Sequence, residues 1–263
     1  MSNDSARGDS DSNLIVGRHP VLEELRQRGE AVEKVLFQRG IEGSVVGEIR
    51  SAAHDRGVPV QYVPAQRIDR MAGELNHQGV VAQTAPIPYR DLDEMLAELA
   101  PTHEDVRERR PLVLVLDRVT DPQNFGAILR SAVAAGAGGV VVPTTHMAPL
   151  GASTVKASAG MAARIPVARV ADLEETLYQM KERGYYVGGL TAGGTSSVWE
   201  ADWDRAIALG VGSEGRGIRP AVLEQCDFTV SIPIRDPAES LNVSVAAAIA
   251  LFQAARARSD DRA

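Results

Sequence analysis

Residues 111–126 read PLVLVLDRVTDPQNFG. Leu112 to Leu116 are apolar without alternation, which fits a strand covered on both faces, as in a parallel sheet. A loop then leads into a helix predicted over 124–135, stopped by Gly136. Downstream the pattern repeats. Strands are expected at Val140–Val142, 165–170 (IPVARV), 185–190 (YYVGGL), 206–210 (AIALG) and 228–234 (FTVSIPI). Helices are expected between them at 153–163, at 172–183 with Asp172 as N-cap, and at 240–257 with Ser240 as N-cap. This alternation makes the fold class α/β with an open, mainly parallel sheet, in which ligands bind at the carboxyl ends of strands.

Upstream, helices at 19–28, 45–54 and 68–75 alternate with strands at 32–37, 58–63 and 79–84, a smaller α/β unit. Residues 83–110 carry three prolines and the run HEDVRERR, with a short helix at 92–99, and read as a connector. The expected organisation is a disordered lead over 1–12, a first domain over 13–82, a linker over 83–110, a second domain over 111–258 and a tail over 259–263.

The chain has 263 residues and a net charge of −7. The acid gathers in the lead and the connector, leaving both domains near neutral, so charge neither demands nor forbids an RNA partner. The longest apolar run, 243–252, is too short to span a membrane. The lead has no basic segment followed by an apolar one, so it is no secretory signal, and a cytoplasmic protein is expected. The single cysteine, Cys226, excludes an internal disulfide and cysteine-rich zinc sites, and its apolar surroundings suggest an inert core residue. The five histidines show no metal-ligand pairing.

Three strand-exit loops could carry chemistry. In the first, Asn124 is followed by Arg130 on the new helix; both can border one mouth, or Asn124 caps the helix and Arg130 is a surface residue. The second, GVGSEGRG over 210–217, contains Gly-x-Gly-x-x-Gly at 210, 212 and 215, with Asp236 placed where a ribose-binding acid would lie. That supports a nicotinamide dinucleotide, but Pro220 leaves room for only a short helix, and a flexible surface turn is the plainer reading. The third loop, RDPAESLNVS over 235–244, opens the last helix, whose free N–H groups would make a polar pocket.

Together, Asn124-x-Gly126-x-x-x-Arg130, Gly212-Ser213-Glu214-Gly215, and Ile232-Pro233 followed by Ser240-Leu241-Asn242-Val243-Ser244 resemble the three ordered motifs of the SpoU/TrmH family, the ribose 2′-O-methyltransferases of the SPOUT superfamily. Gly17-Arg18-His19-Pro20-Val21-Leu22-Glu23 and His77-Gln78-Gly79-Val80-Val81-Ala82 resemble the bounds of that family's N-terminal RNA-binding module, similar to the L30e fold. The layout is that of the RlmB-like 23S rRNA (guanosine-2′-O)-methyltransferases. Asp236 and Ala248 stand where the family often has glycine.

The resemblance implies a trefoil-knotted C-terminal domain that binds S-adenosyl-L-methionine through Thr191, Gly212, Ile232 and Leu241. It implies catalytic roles for Asn124, Arg130, Glu214, Ser240 and Asn242, with Glu214 as a partner for Arg130. A guanidinium is a poor base, so Arg130 is expected to bind phosphate and stabilise a developing alkoxide. An RNA substrate, rRNA rather than tRNA, and a homodimer through the knotted domain are also implied, with no metal and no membrane. A nicotinamide oxidoreductase and a non-catalytic RNA-binding protein are the alternatives.

Overall fold

A computed structural model describes residues 14–259. The lead over 1–12 and residues 260–263 of the tail lie outside the described residues. The chain divides into two compact units between Pro88 and Tyr89.

The first unit contains β1 (Leu14–Val16), α1 (Arg18–Arg28), β2 (Val32–Gln38), α2 (Ser44–Asp55), β3 (Val60–Val63), α3 (Ala65–Ala72) and β4 (Val80–Thr84). Its sheet has the order β1-β4-β2-β3, with β2–β3 parallel and both β4 pairings antiparallel. Alternate residues of β2 serve opposite faces. Val35 and Phe37 pack in a cluster with Leu25 and Ile49, whereas Leu36 packs with Ile68 of α3. The short edge strand β1 had no readable signal in sequence. Helix α3 starts three residues before the expected 68, at Ala65 after Pro64, and ends at Gly73, whose φ of 59° breaks it.

The second unit contains α4 (Leu92–Leu99), α5 (His103–Arg109), β5 (Leu112–Asp117), α6 (Pro122–Ala134), β6 (Gly139–Pro143), α7 (Ala152–Ala157), β7 (Val167–Val170), α8 (Leu173–Glu182), β8 (Tyr186–Leu190), β9 (Ser196–Ser197), β10 (Ile207–Gly212), α9 (Pro220–Leu223), β11 (Phe228–Ser231) and α10 (Val243–Ser259). The seven strands pair in parallel in the order β7-β6-β5-β10-β8-β11-β9. Every residue of β5 is buried, the outcome the unbroken apolar run implies. Val113 and Val115 pack with Met95, Leu173 and Leu177.

Where the sequence reading starts the second domain at 111, the structure joins residues from Tyr89 onward to this unit, because α4 buries Met95 and Leu96 in its core. The run read as connector also forms α5, opened by a capping box of Thr102 and Asp105. The single helix expected over 153–163 is two pieces, because Ala159 and Gly160 take φ of 52° and 80°. Gly126 lets α6 and α7 meet: a Cβ there would sit 2.5 Å from Ala157 Cβ and 2.6 Å from the Thr154 carbonyl oxygen.

Candidate active site

Strands β5 and β10 run side by side with Asp117 opposite Gly212, so two of the three loops leave the sheet together. Asp117 is buried and accepts the Arg219 backbone N–H at 2.7 Å and its Nε–H at 2.9 Å. This charge-assisted pair ties the loop after β10 to the end of β5. The Gly-rich loop is a tight turn in which Ser213 and Gly217 exchange both backbone hydrogen bonds, at 3.1 and 2.9 Å. Gly215 and Gly217 supply the positive φ, 75° and 65°, that reverses the chain. Gly212 serves closeness instead: a Cβ would lie 2.0 Å from the Gly217 carbonyl carbon.

Asn124, Glu214 and Asn242, one from each loop, meet in a closed polar cluster. Asn124 Nδ2 donates to Glu214 Oε1 at 2.9 Å, and Asn242 Nδ2 donates to the same oxygen at 2.5 Å and to Asn124 Oδ1 at 3.0 Å. Asn124 is free for this role because Asp121 caps α6, accepting from Gln123 N–H at 3.0 Å. Asn242, not Ser240, caps the last helix: its Oδ1 accepts from Ser244 N–H at 2.9 Å and Val245 N–H at 3.4 Å. The helix therefore starts at Val243, and Ser240 is left in an exposed loop.

Arg130 does not join the cluster. Six residues along an α-helix from Asn124 is about 9 Å of rise and about 120° around the axis. Arg130 is exposed and, among the described residues, makes no hydrogen bond or ion pair. Glu214 has two amides for partners in place of the expected arginine.

Beside the cluster lies a cavity of about 310 Å³, whose wall includes Thr191, Gly212, Glu214, Ile232, Ser240 and Leu241. It lies under the Gly-rich turn, between the exits of β8, β10 and β11. Leu190, Val211, Ile232 and Leu241 contribute apolar wall, and Glu214, Glu239 and Ser240 contribute polar wall. At the Gly212–Gly217 approach the wall is backbone, which lets a flat ligand come close.

The Gly-x-Gly-x-x-Gly match does not open a dinucleotide-binding helix. After the turn only the four-residue α9 follows, so no long helix presents its N-terminus to a pyrophosphate. Cys226 is half-buried; its thiol points at the Val222 carbonyl at 3.6 Å. Burial first, then the Asp227 carboxylate, pushes it up to about 11, against a smaller opposing effect of Lys181. Among the described residues no cluster of His, Cys, Asp and Glu could hold a metal, and no helix is long and apolar enough to cross a membrane.

Sequence reasoning did not single out Asp117 and Arg219, which hold the site together. The signal was a charge ending an apolar strand, LVLVLD, where only a partnered carboxylate can be buried.

Two family descriptions match the chain: "SpoU rRNA Methylase family" over residues 111–252 and "RNA 2'-O ribose methyltransferase substrate binding" over residues 14–90. A Staphylococcus aureus protein assigned to the TrmH family of tRNA/rRNA methyltransferases is 36% identical over 250 residues, covering 95% of this chain and 98% of that one. An AdoMet-bound rRNA methyltransferase from Sinorhizobium meliloti superposes with a TM-score of 0.57 at 26% identity, covering 93% of this chain and 87% of its own. A TrmH/SpoU tRNA-modifying enzyme from A. aeolicus, with a TM-score of 0.54 at 26% identity, covers 86% of its own chain but only 64% of this one. With a family match over more than half its length and a near-full-length relative, the chain belongs to the SpoU/TrmH family of RNA 2′-O-ribose methyltransferases.

Proposed function

We propose that this enzyme binds S-adenosyl-L-methionine in the cavity beneath the Gly-rich turn and methylates the ribose 2′-hydroxyl of a guanosine in 23S rRNA. The observation that carries the reading is the adjacency of that cavity to the Asn124–Glu214–Asn242 cluster. Thr191, Gly212, Ile232 and Leu241 would hold the cofactor, which supplies when bound a methyl group already activated on a sulfonium sulfur. A mainly apolar wall with a few polar groups suits an adenosine joined to an amino acid.

The residues of the chain then have two tasks, to orient the ribose hydroxyl and to ease the loss of its proton. Glu214 Oε1 is fixed by two amide donors, so it cannot swing freely; Asn124 and Asn242 hold it, while Ser240 lines the same cavity. Arg130 would bind the neighbouring phosphate and stabilise the alkoxide as it forms.

A homodimer completes this reading. Helix α10 leaves Val245 and Phe252 about half exposed, 47% and 51%, at positions that share one face, and α6, which carries Arg130, packs against α10. We propose that a second copy covers that face. A trefoil knot in the C-terminal domain is proposed as well. It rests on the match of the C-terminal domain to the SpoU family description.

The first unit is proposed as the RNA-binding domain. rRNA is favoured over tRNA because the S. meliloti rRNA enzyme matches both units, whereas the A. aeolicus tRNA enzyme matches a length that leaves about a third of this chain uncovered. A cytoplasmic location follows from such a substrate. Calorimetric titration of the full chain with S-adenosylmethionine and with NAD tests the reading: saturable binding of the first alone is expected, and binding of NAD alone would overturn it.

A further inference from the structure

A second cavity, of about 670 Å³, opens at the carboxyl ends of β5, β6 and β7. It is roomier than the proposed cofactor cavity and shares Ser213, Glu214 and Arg216 with it as a common wall. Strand β5 lies between β6 and β10, so the cavity sits where the sheet's connections turn to opposite sides, the favoured ligand position in open α/β sheets. Nothing in the handling of the cofactor accounts for it.

Its lining is built at a cost. Arg118 and His146 both take positive φ, 62° and 56°; for the long Arg118 side chain this is unfavourable and persists where surrounding structure enforces it. Arg118 Nε is buried without a hydrogen-bond partner, 3.6 Å from Asp117 Oδ1.

The charges on the wall select the ligand. Asp117, Asp172, Glu174 and Glu214 line the cavity along with Arg118, Arg216 and Arg219, and Glu174 Oε1 already accepts from Arg219 Nη1 at 3.1 Å. A phosphate would meet four carboxylates. A neutral base with N–H donors on one edge and acceptors on the other meets both signs favourably. Guanine is that base: N1–H and the exocyclic amine can donate to a carboxylate, and O6 and N7 accept from a guanidinium. Bases in single-stranded RNA are read in this way once unstacked.

Resting on the methyltransferase reading above, we propose that this second cavity takes the base of the target nucleotide, a guanine. Glu174 faces its Watson–Crick edge and Arg118 its O6/N7 edge, leaving the ribose at the shared Ser213–Glu214 wall. Specificity for the base and positioning of the 2′-hydroxyl would then come from adjoining cavities of one domain.

The test is calorimetric titration of the full chain, saturated with S-adenosylmethionine, with GMP, IMP, AMP and CMP. GMP should bind about tenfold more tightly than IMP, which lacks the exocyclic amine, and more tightly than the other two. Glu174→Gln and Arg118→Asn, the latter chosen because asparagine tolerates positive φ, should each weaken GMP about tenfold and leave S-adenosylmethionine affinity within about twofold of the parent. No saturable GMP binding, GMP no tighter than AMP or CMP, or GMP binding untouched by both variants overturns the proposal. Failure of the methyltransferase reading would show separately, as absent S-adenosylmethionine binding by the parent chain.

Discussion

Asn242 stands with one end of its amide 2.5 Å from Glu214 and the other on the first turn of the last helix. One side chain thus sets where α10 begins and where the Glu214 carboxylate points. Asn242→Ala should remove both. The lost cap costs about 1 kcal/mol of stability. Methyl transfer should fall much further, by roughly 100-fold, because the carboxylate loses its position. Urea melts and single-turnover rates on the same preparation separate the two effects.

Gly126 carries the contact between α6 and α7. An added methyl would meet Ala157 Cβ at 2.5 Å and the Thr154 carbonyl oxygen at 2.6 Å. Gly126→Ala should therefore destabilise the chain by about 1–3 kcal/mol, read as a lower urea midpoint. An unchanged midpoint would mean that the two helices can separate without loss.

Gly212→Val should abolish S-adenosylmethionine binding and also lower the stability of the fold. The side chain would strike the turn's own backbone at Gly217 and Ile218, at 2.0–2.1 Å, and so open the turn that roofs the cavity. Circular dichroism checks the fold, and one calorimetric titration checks the binding.

Much of this was legible in the sequence. The unbroken run 112–116 implied a two-sided parallel sheet, and the three exit loops contained Asn124, Glu214 and Asn242. Other features were not legible, for physical reasons. Ser240 and Asn242 are equally good caps by type, and only the third partner, Glu214, decides between them. The two- and three-residue edge strands β9 and β1 are too short to show alternation. Arg130 reads as part of the first motif, but helical geometry turns it away from Asn124. The second cavity draws its wall from the exits of four strands, so no local stretch of sequence reveals it.

Cys226 gives a pH test. Its folded-state value is raised from 9.0 to about 11, chiefly by burial, so the protonated thiol is favoured by folding. Its contribution is fully present below about pH 9 and is lost as pH rises toward about 11. Iodoacetamide should therefore label the native chain slowly at pH 9 and quickly only near pH 11, while the urea-unfolded chain labels quickly already at pH 9. As the chain's single cysteine, it makes the readout unambiguous. Equal rates in the two states at pH 9 would contradict the burial argument.

The central claim is methyl transfer to a ribose 2′-hydroxyl of RNA, and alkaline hydrolysis reads it directly. Cleavage of RNA by alkali needs a free 2′-hydroxyl, so a 2′-O-methyl nucleotide survives joined to its 3′ neighbour. The full chain should be incubated with methyl-labelled S-adenosylmethionine and rRNA from cells lacking the protein, then the RNA digested with alkali. The account predicts label in one alkali-resistant dinucleotide that begins with 2′-O-methylguanosine. Label released entirely as mononucleotides would mean methylation of a base, and no label in RNA would mean no transfer; either result would contradict the account.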